Sequence, residues 1–570
     1  MTKWKSKLAG MLAAGALAVA MVPAVALGLD ADTTISVTNI DEGDSAAYYQ
    51  VIQQNANTKA WELTTAFATL DLSGCAGNTG KSTLDCITDG ITAEEAGVIA
   101  ALASGDGTAM TPDETTATTF EATVAPGMYL VLATPAENNV DVVYKPMFVS
   151  ADYDQSADSP NTVSATDELA TAVAKKSPLE LDKTAAEATG NGNTTNETKG
   201  VAVGDSVDFT VTTNVPSYTT NFTKPVFKIT DALSEGLTMT DAQQAAITVT
   251  VAGYDNLKKG TDYTITPSAT GYTIEFNGNE GGFLYTVTGN PQVTITYSAT
   301  VTSNAGTQVN ELDNTVTLNF SNKPSDTSGQ GELKDKTRHY TFDIDGSIFG
   351  QTGTQTSEVR KIGVDANGDP IEEITTTNVE TAVDPNTRSW LEGATFELRT
   401  SASDASTAIK FTNGVKDANG SATITSDSNG YLAMKGLDEG TYFLVETAAP
   451  TGYSFDPTPH EITIAATYVD DPDGNKILSE YTITIDGNES KYTVGVDNET
   501  GKPLELSAQG ATITADPANV STLINNVKNA LLPSTGGNGI YFYVIFGAAV
   551  AAVSFVGMRV YKKRNAAATK

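Results

Sequence analysis

The chain is poor in the residues that build reactive or metal-holding centres. It has two Cys, two His and three Trp in 570 residues. A zinc cluster draws on about four Cys or His ligands, and a Cys–His catalytic pair needs further orienting groups, so both chemistries lack material. Basic residues are also scarce, 34 against 69 acids, for a formal net charge of −35. That excess of negative charge excludes nucleic acid and anionic membrane surfaces as partners. Charged residues of all kinds make up only 18%, too few for long salt-bridged surface helices. What is present is 40% hydrophobic residues and 49 Gly, alongside abundant Thr, Ser, Asn and Asp. This mix favours strands and turns, and the length allows three or four domains. No cofactor and no metal is implied. Asp365-Ala366-Asn367-Gly368-Asp369 has the look of a calcium-loop fragment but lacks the downstream Glu, so a β-turn is expected there. His339 and His460 have no matching nucleophile and read as structural or exposed.

Long apolar runs occur only at the two ends. Lys3, Lys5 and Lys7 precede an apolar stretch from Leu8 to Val22, followed by Ala24-Val25-Ala26. A basic start, a short apolar run and an A-x-A site predict a secretory signal peptide over 1–26. At the other end, Leu532-Pro533-Ser534-Thr535-Gly536 precedes an apolar run from Ile540 to Met558, long enough for a bilayer. Arg559, Lys562, Lys563 and Arg564 then form a basic stop. Trimming both ends removes basic residues and no acids, leaving a strongly acidic exported chain.

Between these signals the pattern is β throughout. Ser206–Val211, Val293–Tyr297, Thr315–Leu318 and Tyr481–Ile485 alternate apolar and polar residues, separated by Gly, Asn and Asp clusters. The expected fold class is all-β, three tandem immunoglobulin-like β-sandwiches flanked by the signal peptide and a C-terminal transmembrane helix. The boundaries expected are 27–175, 176–345 and 357–530, with a linker at 346–356 and the sorting region at 531–570. Thr92 to Ala103 is the one convincing internal helix, expected as a short surface helix of the first domain. Ala186 to Lys199 reads as a polar loop within the second domain.

The C-terminal arrangement of pentapeptide, apolar run and basic tail resembles the LPXTG cell-wall sorting signal of Gram-positive bacteria. That resemblance implies a sortase whose Cys attacks the Thr535 carbonyl, releasing Gly536 before an amine resolves the acyl-enzyme. In the third domain, Leu391-Glu392-Gly393-Ala394-Thr395-Phe396-Glu397-Leu398 and Gly440-Thr441-Tyr442-Phe443-Leu444-Val445-Glu446-Thr447 resemble the collagen-adhesin B-type domain and its pilin "E-box". By that resemblance Lys361 and Asn526 form a self-made isopeptide bond with Glu446 as helper acid; Asn525 is adjacent, and strand alternation turns only one of the two inward. In the second domain, Leu179–Thr184, Val203–Phe209, Ile229–Leu237 and Asn310–Leu318 resemble the middle domain of shaft pilins, which pairs Lys183 with Asn314 and makes Asp231 the helper acid. The chemistry is coherent: burial favours a neutral, nucleophilic amine and a protonated acid, and folding makes the reaction unimolecular.

Ile35–Asn39 and Ala125–Val131 resemble the N-terminal domain of shaft pilins, which carries a Lys that links subunits. Here Lys176 is the expected residue, with Lys175 the alternative, in a stretch (Ala174-Lys175-Lys176-Ser177) that departs from the family's Tyr-Pro-Lys-Asn. Cys75 and Cys86 are expected to form a disulfide in the exported chain. The reading is then a non-enzymatic structural subunit of a sortase-polymerised pilus on the cell surface, supporting adhesion. Its implied partners are sortase, copies of itself, minor pilins, peptidoglycan and an unnamed host-surface ligand. The alternative is a minor pilin or wall-anchored adhesin of the same build.

Overall fold

The computed structural model describes residues 33–151, 170–187, 200–371, 389–529 and 548–562, apart from positions 56, 59, 89, 106, 138, 140, 472–474 and 560 within them. The signal peptide, the Leu532–Gly536 pentapeptide and most of the Ala186–Lys199 loop lie outside those residues. Residues 548–559 are helical and exposed. Among the described residues no helix is long and apolar enough to cross a membrane, and the first part of the expected span is not among them.

The alternating segments form strands as their period of two requires. In the first domain, Thr33–Thr38 pairs antiparallel with Phe120–Val124, and Ser45–Gln54 pairs with Gly127–Thr134. Ile35, Val37, Tyr129, Val131 and Val149 fill the space between the two sheets. A second cluster, including Trp61, Phe67, Ile99 and Leu130, lies beneath the helices. The expected helix is present as Ala93–Ala101, started by a capping box between Thr92 and Glu95. It is not a surface helix: Ala96, Ile99 and Ala100 are buried against the outer sheet. Its small residues allow that close approach, which a reading by exposure alone misses.

The second domain is a two-sheet sandwich. One sheet orders Leu181–Glu187, Ser206–Asn214, Gln292–Val301 and Leu237–Thr238. The facing sheet orders Tyr263–Ser268, Gly271–Phe276, Phe227–Leu233, Asn310–Phe320 and Gly331–Ile344. Phe209, Phe227, Ile229, Ile295, Val316 and Leu318 pack between them.

The third domain carries a seven-stranded sheet that includes Thr395–Arg399, Gly440–Ala448, His460–Asp470 and Lys476–Ile485. Facing it is a parallel pair, Val359–Val364 with Thr522–Val527. All of Val359–Val364 is buried. Lys361 points into the sandwich, while the Arg360 guanidinium is stacked between the Trp390 and Tyr431 rings, 3.9 Å from each centroid.

Two features depart from the expected boundaries. Strand Gly331–Ile344 does not stop at the second domain; its far end pairs with Met434–Leu437, and Tyr340, Phe342 and Ile344 belong to the third domain's core. Residues 346–356 are not an extended spacer either. Ser347 bridges Gln355, Ile348 and Thr356 are buried, and the Gln351 side-chain amide donates to the Ile513 carbonyl. Gly, Thr and Gln suit a tight folded turn as well as a linker, so composition alone does not separate the two.

Candidate isopeptide sites and the subunit-linking lysine

In the second domain, Lys183 extends from the first strand of one sheet. Asp231 and Asn314 come from neighbouring strands of the opposite sheet, where Asp231 is opposite Val316 and Leu233 is opposite Asn314. All three are nearly or wholly buried, at 5%, 3% and 0% exposure. The Lys183 amine donates to Asp231 Oδ2 and, at 2.6 Å, to the Tyr297 hydroxyl. Burial pushes the Lys183 pKa down, with Asp231 partly restoring it. Burial pushes the Asp231 carboxyl up, with Lys183 and Tyr297 opposing. Both shifts favour the neutral forms. The Phe209 and Tyr297 rings lie 5.3 Å from the amine. A cation–π contact of about 1–2 kcal/mol does not outweigh a desolvation penalty of several kcal/mol per ion.

The third domain repeats the arrangement with different residues. Lys361 and Asn526 lie on the adjacent parallel strands, in register as Lys361–Ile524 and Gly363–Asn526. Asn526 is 1% exposed, whereas Asn525 faces solvent; alternation thus turns Asn526 inward. Glu446 projects from the facing sheet and accepts from Asn526 Nδ2 at 2.8 Å and from the Asp456 backbone amide at 3.2 Å. The Lys361 amine is 3.6 Å from Glu446 Oε1, too long for a hydrogen bond, and 5.4 Å from the Phe396 ring centroid. Burial lowers the Lys361 pKa to about 8, with Glu446 as the main opposing influence. At neutral pH roughly one amine in ten is then unprotonated.

The two sites share a pattern of orphaned atoms. Asp231 Oδ1 and Asn314 Oδ1 are buried without a hydrogen-bond partner, and so are Glu446 Oε1 and Asn526 Oδ1. Each orphan costs about 1–3 kcal/mol. In the second domain, where burial pushes the Asp231 carboxyl up, a proton on it supplies a donor to a pair of acceptors that otherwise lacks one. It also places a hydrogen-bond donor where an amide carbonyl must be polarised for attack.

Residues that sequence reasoning missed frame these sites. Tyr297 touches all three members of the first trio. The Gly430 carbonyl, in a residue at φ +76°, accepts from the Lys361 amide at 2.8 Å, and a Cβ at Gly430 would meet the Lys361 carbonyl at 2.5 Å. The D-x-x-G turn signal in Asp427-Ser428-Asn429-Gly430 was legible; its contact with the Lys361 strand was not.

Lys176 begins a short strand, Lys176–Pro178, paired with Val142–Tyr144. Its amine is ion-paired with Asp41. Asp41 is partly buried, which raises its pKa, but the pairing with Lys176 more than compensates and holds it below the usual range. Lys175 is exposed, and its carbonyl accepts from the Lys145 amide. The expected Cys75–Cys86 disulfide is absent. Both thiols are buried in the apolar cluster with Leu72, Ile87 and Ile91, where a thiol packs as a small apolar group, and burial raises the Cys75 pKa further. Asp365–Asp369 is a turn, with Asp365 Oδ1 accepting from the Asn367 and Asp369 amides. His339 is buried, and His460 pairs with Asp486 through Nδ1 at 2.6 Å.

Three family models match the chain. Residues 203–324 match the Gram-positive pilin backbone subunit 2, Cna-B-like domain. Residues 379–476 match the SpaA prealbumin-like fold domain, and residues 524–567 match the LPXTG cell wall anchor motif. A curated relative, the trypsin-resistant surface T6 protein of Streptococcus pyogenes serotype M6, is 25% identical over 478 residues, covering 77% of this chain and 79% of its own. The solved T6 backbone pilin of serotype M6 S. pyogenes, described as a modular three-domain structure, superposes with a TM-score of 0.52 at 18% identity, covering 88% of this chain and all of that one. The matched pilin domain and the anchor motif support a structural pilus subunit, exported and attached at the cell wall, and the solved pilin shares its fold.

Proposed function

We propose that this subunit forms the shaft of a sortase-polymerised pilus, reinforced by two self-made amide bonds, Lys183–Asn314 and Lys361–Asn526. The observation that carries the reading is the repeated buried trio of Lys, carboxylic acid and Asn, drawn from facing sheets in two different domains. In each, the neutral amine attacks the Asn side-chain carbonyl carbon. The C–Nδ2 bond breaks, one amine proton passes to the departing nitrogen, and ammonia leaves. Asp231 and Glu446 polarise the carbonyl and ferry that proton. The event happens once per molecule, so it is maturation without turnover, and the chain is not an enzyme.

Polymerisation uses the ends. Sortase cleaves between Thr535 and Gly536, and the Lys176 amine of the next copy resolves the acyl-enzyme; Lys175 is the alternative. Lys176 must first leave Asp41, which costs little because the pair is partly exposed. Sortase, minor pilins, peptidoglycan and a host-surface ligand complete the partners.

The test is an immunoblot of cell-wall extracts boiled in SDS, comparing wild type with Lys176→Ala and Lys175→Ala. A high-mass ladder that collapses to monomer in one variant supports the shaft and identifies the lysine. A monomer band in wild type overturns it in favour of a wall-anchored adhesin. A ladder that survives both substitutions means that neither lysine is the linker.

A further inference from the structure

The two candidate bond sites differ in one respect that the helper-acid chemistry does not explain. In the second domain a hydroxyl sits at the centre of the trio. Tyr297 is on Gln292–Val301, next to the strand that carries Phe209 and on the same sheet as Lys183. Its Oη accepts from Lys183 Nζ at 2.6 Å and from Asn314 Nδ2 at 2.8 Å, and it donates to Asp231 Oδ2 at 2.5 Å. In the third domain the Asn526 amide donates directly to Glu446, and the aromatic ring over the amine is Phe396, which has no hydroxyl.

We propose that Tyr297 is a catalytic residue of the Lys183–Asn314 bond, a proton relay between the attacking amine and the departing nitrogen. This rests on the isopeptide reading above. Attack joins Lys183 Nζ to Asn314 Cγ and leaves an excess proton on Nζ. Tyr297 Oη is within hydrogen-bond reach of that nitrogen and of Asn314 Nδ2. It takes the proton from Nζ as it gives its own to Nδ2, directly or through Asp231 Oδ2. The C–Nδ2 bond then breaks, ammonia leaves, and Tyr297 and Asp231 end as they began. Because one proton arrives as another departs, no phenolate has to form. That suits a hydroxyl whose ionisation burial makes very unfavourable.

The geometry also explains why a relay belongs at this site. Asn314 Nδ2 donates to Tyr297 Oη, so the hydroxyl that is to protonate the departing nitrogen stands within reach of it before attack. The ring is fixed by stacking on Phe209 at 5.1 Å and by an edge contact with Tyr272 at 4.9 Å. Those contacts belong to the ring and persist in phenylalanine.

The experiment is Tyr297→Phe in the exported chain, harvested at intervals after induction and digested under denaturing conditions. Mass spectrometry then scores the cross-linked peptides of both domains. The expected result is a Lys183–Asn314 bond that forms at least tenfold more slowly than in wild type, on the scale of a lost general acid–base. The Lys361–Asn526 bond of the same molecules serves as the internal clock and forms at the wild-type rate. Equal completion of the Lys183–Asn314 bond in variant and wild type at the earliest time overturns the relay. A parallel comparison of Lys183→Met with Lys183→Met/Tyr297→Phe measures the hydroxyl's structural worth with no bond to form. If the double variant melts far below the single one, Tyr297 is a support and the relay is overturned. A wild type with no Lys183–Asn314 peptide refutes the underlying reading for this domain and, with it, the relay.

Discussion

Replacing Lys361 with Met tests the covalent reading quantitatively. Met matches the length of the Lys stem and carries no charge, so the sandwich keeps its packing and loses only the nucleophile. A bond from Lys361 to Asn526 closes a loop of roughly 165 residues, and the chain-entropy relation for cross-links puts its worth at about 5 kcal/mol. Lys361→Ala is a poorer probe, because a cavity adds about 2–5 kcal/mol of its own. For a domain of this size each kcal/mol moves Tm by about 2–4 °C, so the third-domain transition should fall by about 10–20 °C. The assay is calorimetry of the exported chain with intact mass measured on the same sample. Wild type should be lighter than its sequence mass by two ammonia molecules, and Lys361→Met should lack one of those losses. A wild type at full sequence mass, or a variant melting within about 2 °C of wild type, would refute the reasoning.

Other perturbations follow from the same geometry. Glu446→Gln should leave the domain folded but block the Lys361–Asn526 bond, read as retention of one ammonia mass. In an Asn526→Ala chain Lys361 stays an amine, with a folded pKa of about 8 against the usual 10.5. The unfolded state then binds more protons between those values, so stability should rise with pH across that window by about 3 kcal/mol, and the rise should vanish when Lys361→Met is added. Gly430→Ala forces a side chain into left-handed backbone and against the Lys361 carbonyl; a loss of at least about 1 kcal/mol in denaturant melts and slower formation of the adjacent bond are expected. Thr535→Ala should block cleavage and leave the chain held by its apolar tail, shifting it from the wall fraction to the membrane fraction, scored by fractionation.

Much of this was legible in the sequence because strands write their geometry in a period of two. Alternation turned Asn526 inward and Asn525 outward, and the paired strings at each end of the second domain marked Lys183 and Asn314. Tyr297 was not legible. It lies in an ordinary alternating strand, and only the register Phe209–Tyr297 brings its hydroxyl to the trio. The helix at Ala93–Ala101 was found by its cap, yet its burial depends on a sheet assembled from distant strands. The cysteine expectation rested on compartment and spacing, neither of which reports how two thiols pack. The 346–356 turn failed for a similar reason, since turn residues mark a change of direction without saying whether the segment docks.

The strand Gly331–Ile344 bears on how such a subunit can be taken apart or recombined. A cut at residue 345, where the sequence pattern changes, removes Tyr340, Phe342 and Ile344 from the third domain's core and strips Met434–Leu437 of its neighbour. The fragment left behind would present an unpaired edge, the feature that invites aggregation. Arg338, on the same strand, reaches Asp471 at 2.8 Å and Glu505 at 2.5 Å and fastens the junction from its flank. The second and third domains are therefore not interchangeable beads on a string. Gene fusions, epitope grafts or truncations that respect this architecture should keep 331–344 with both of its halves, and insertions are better placed in exposed turns such as Asn498–Thr500.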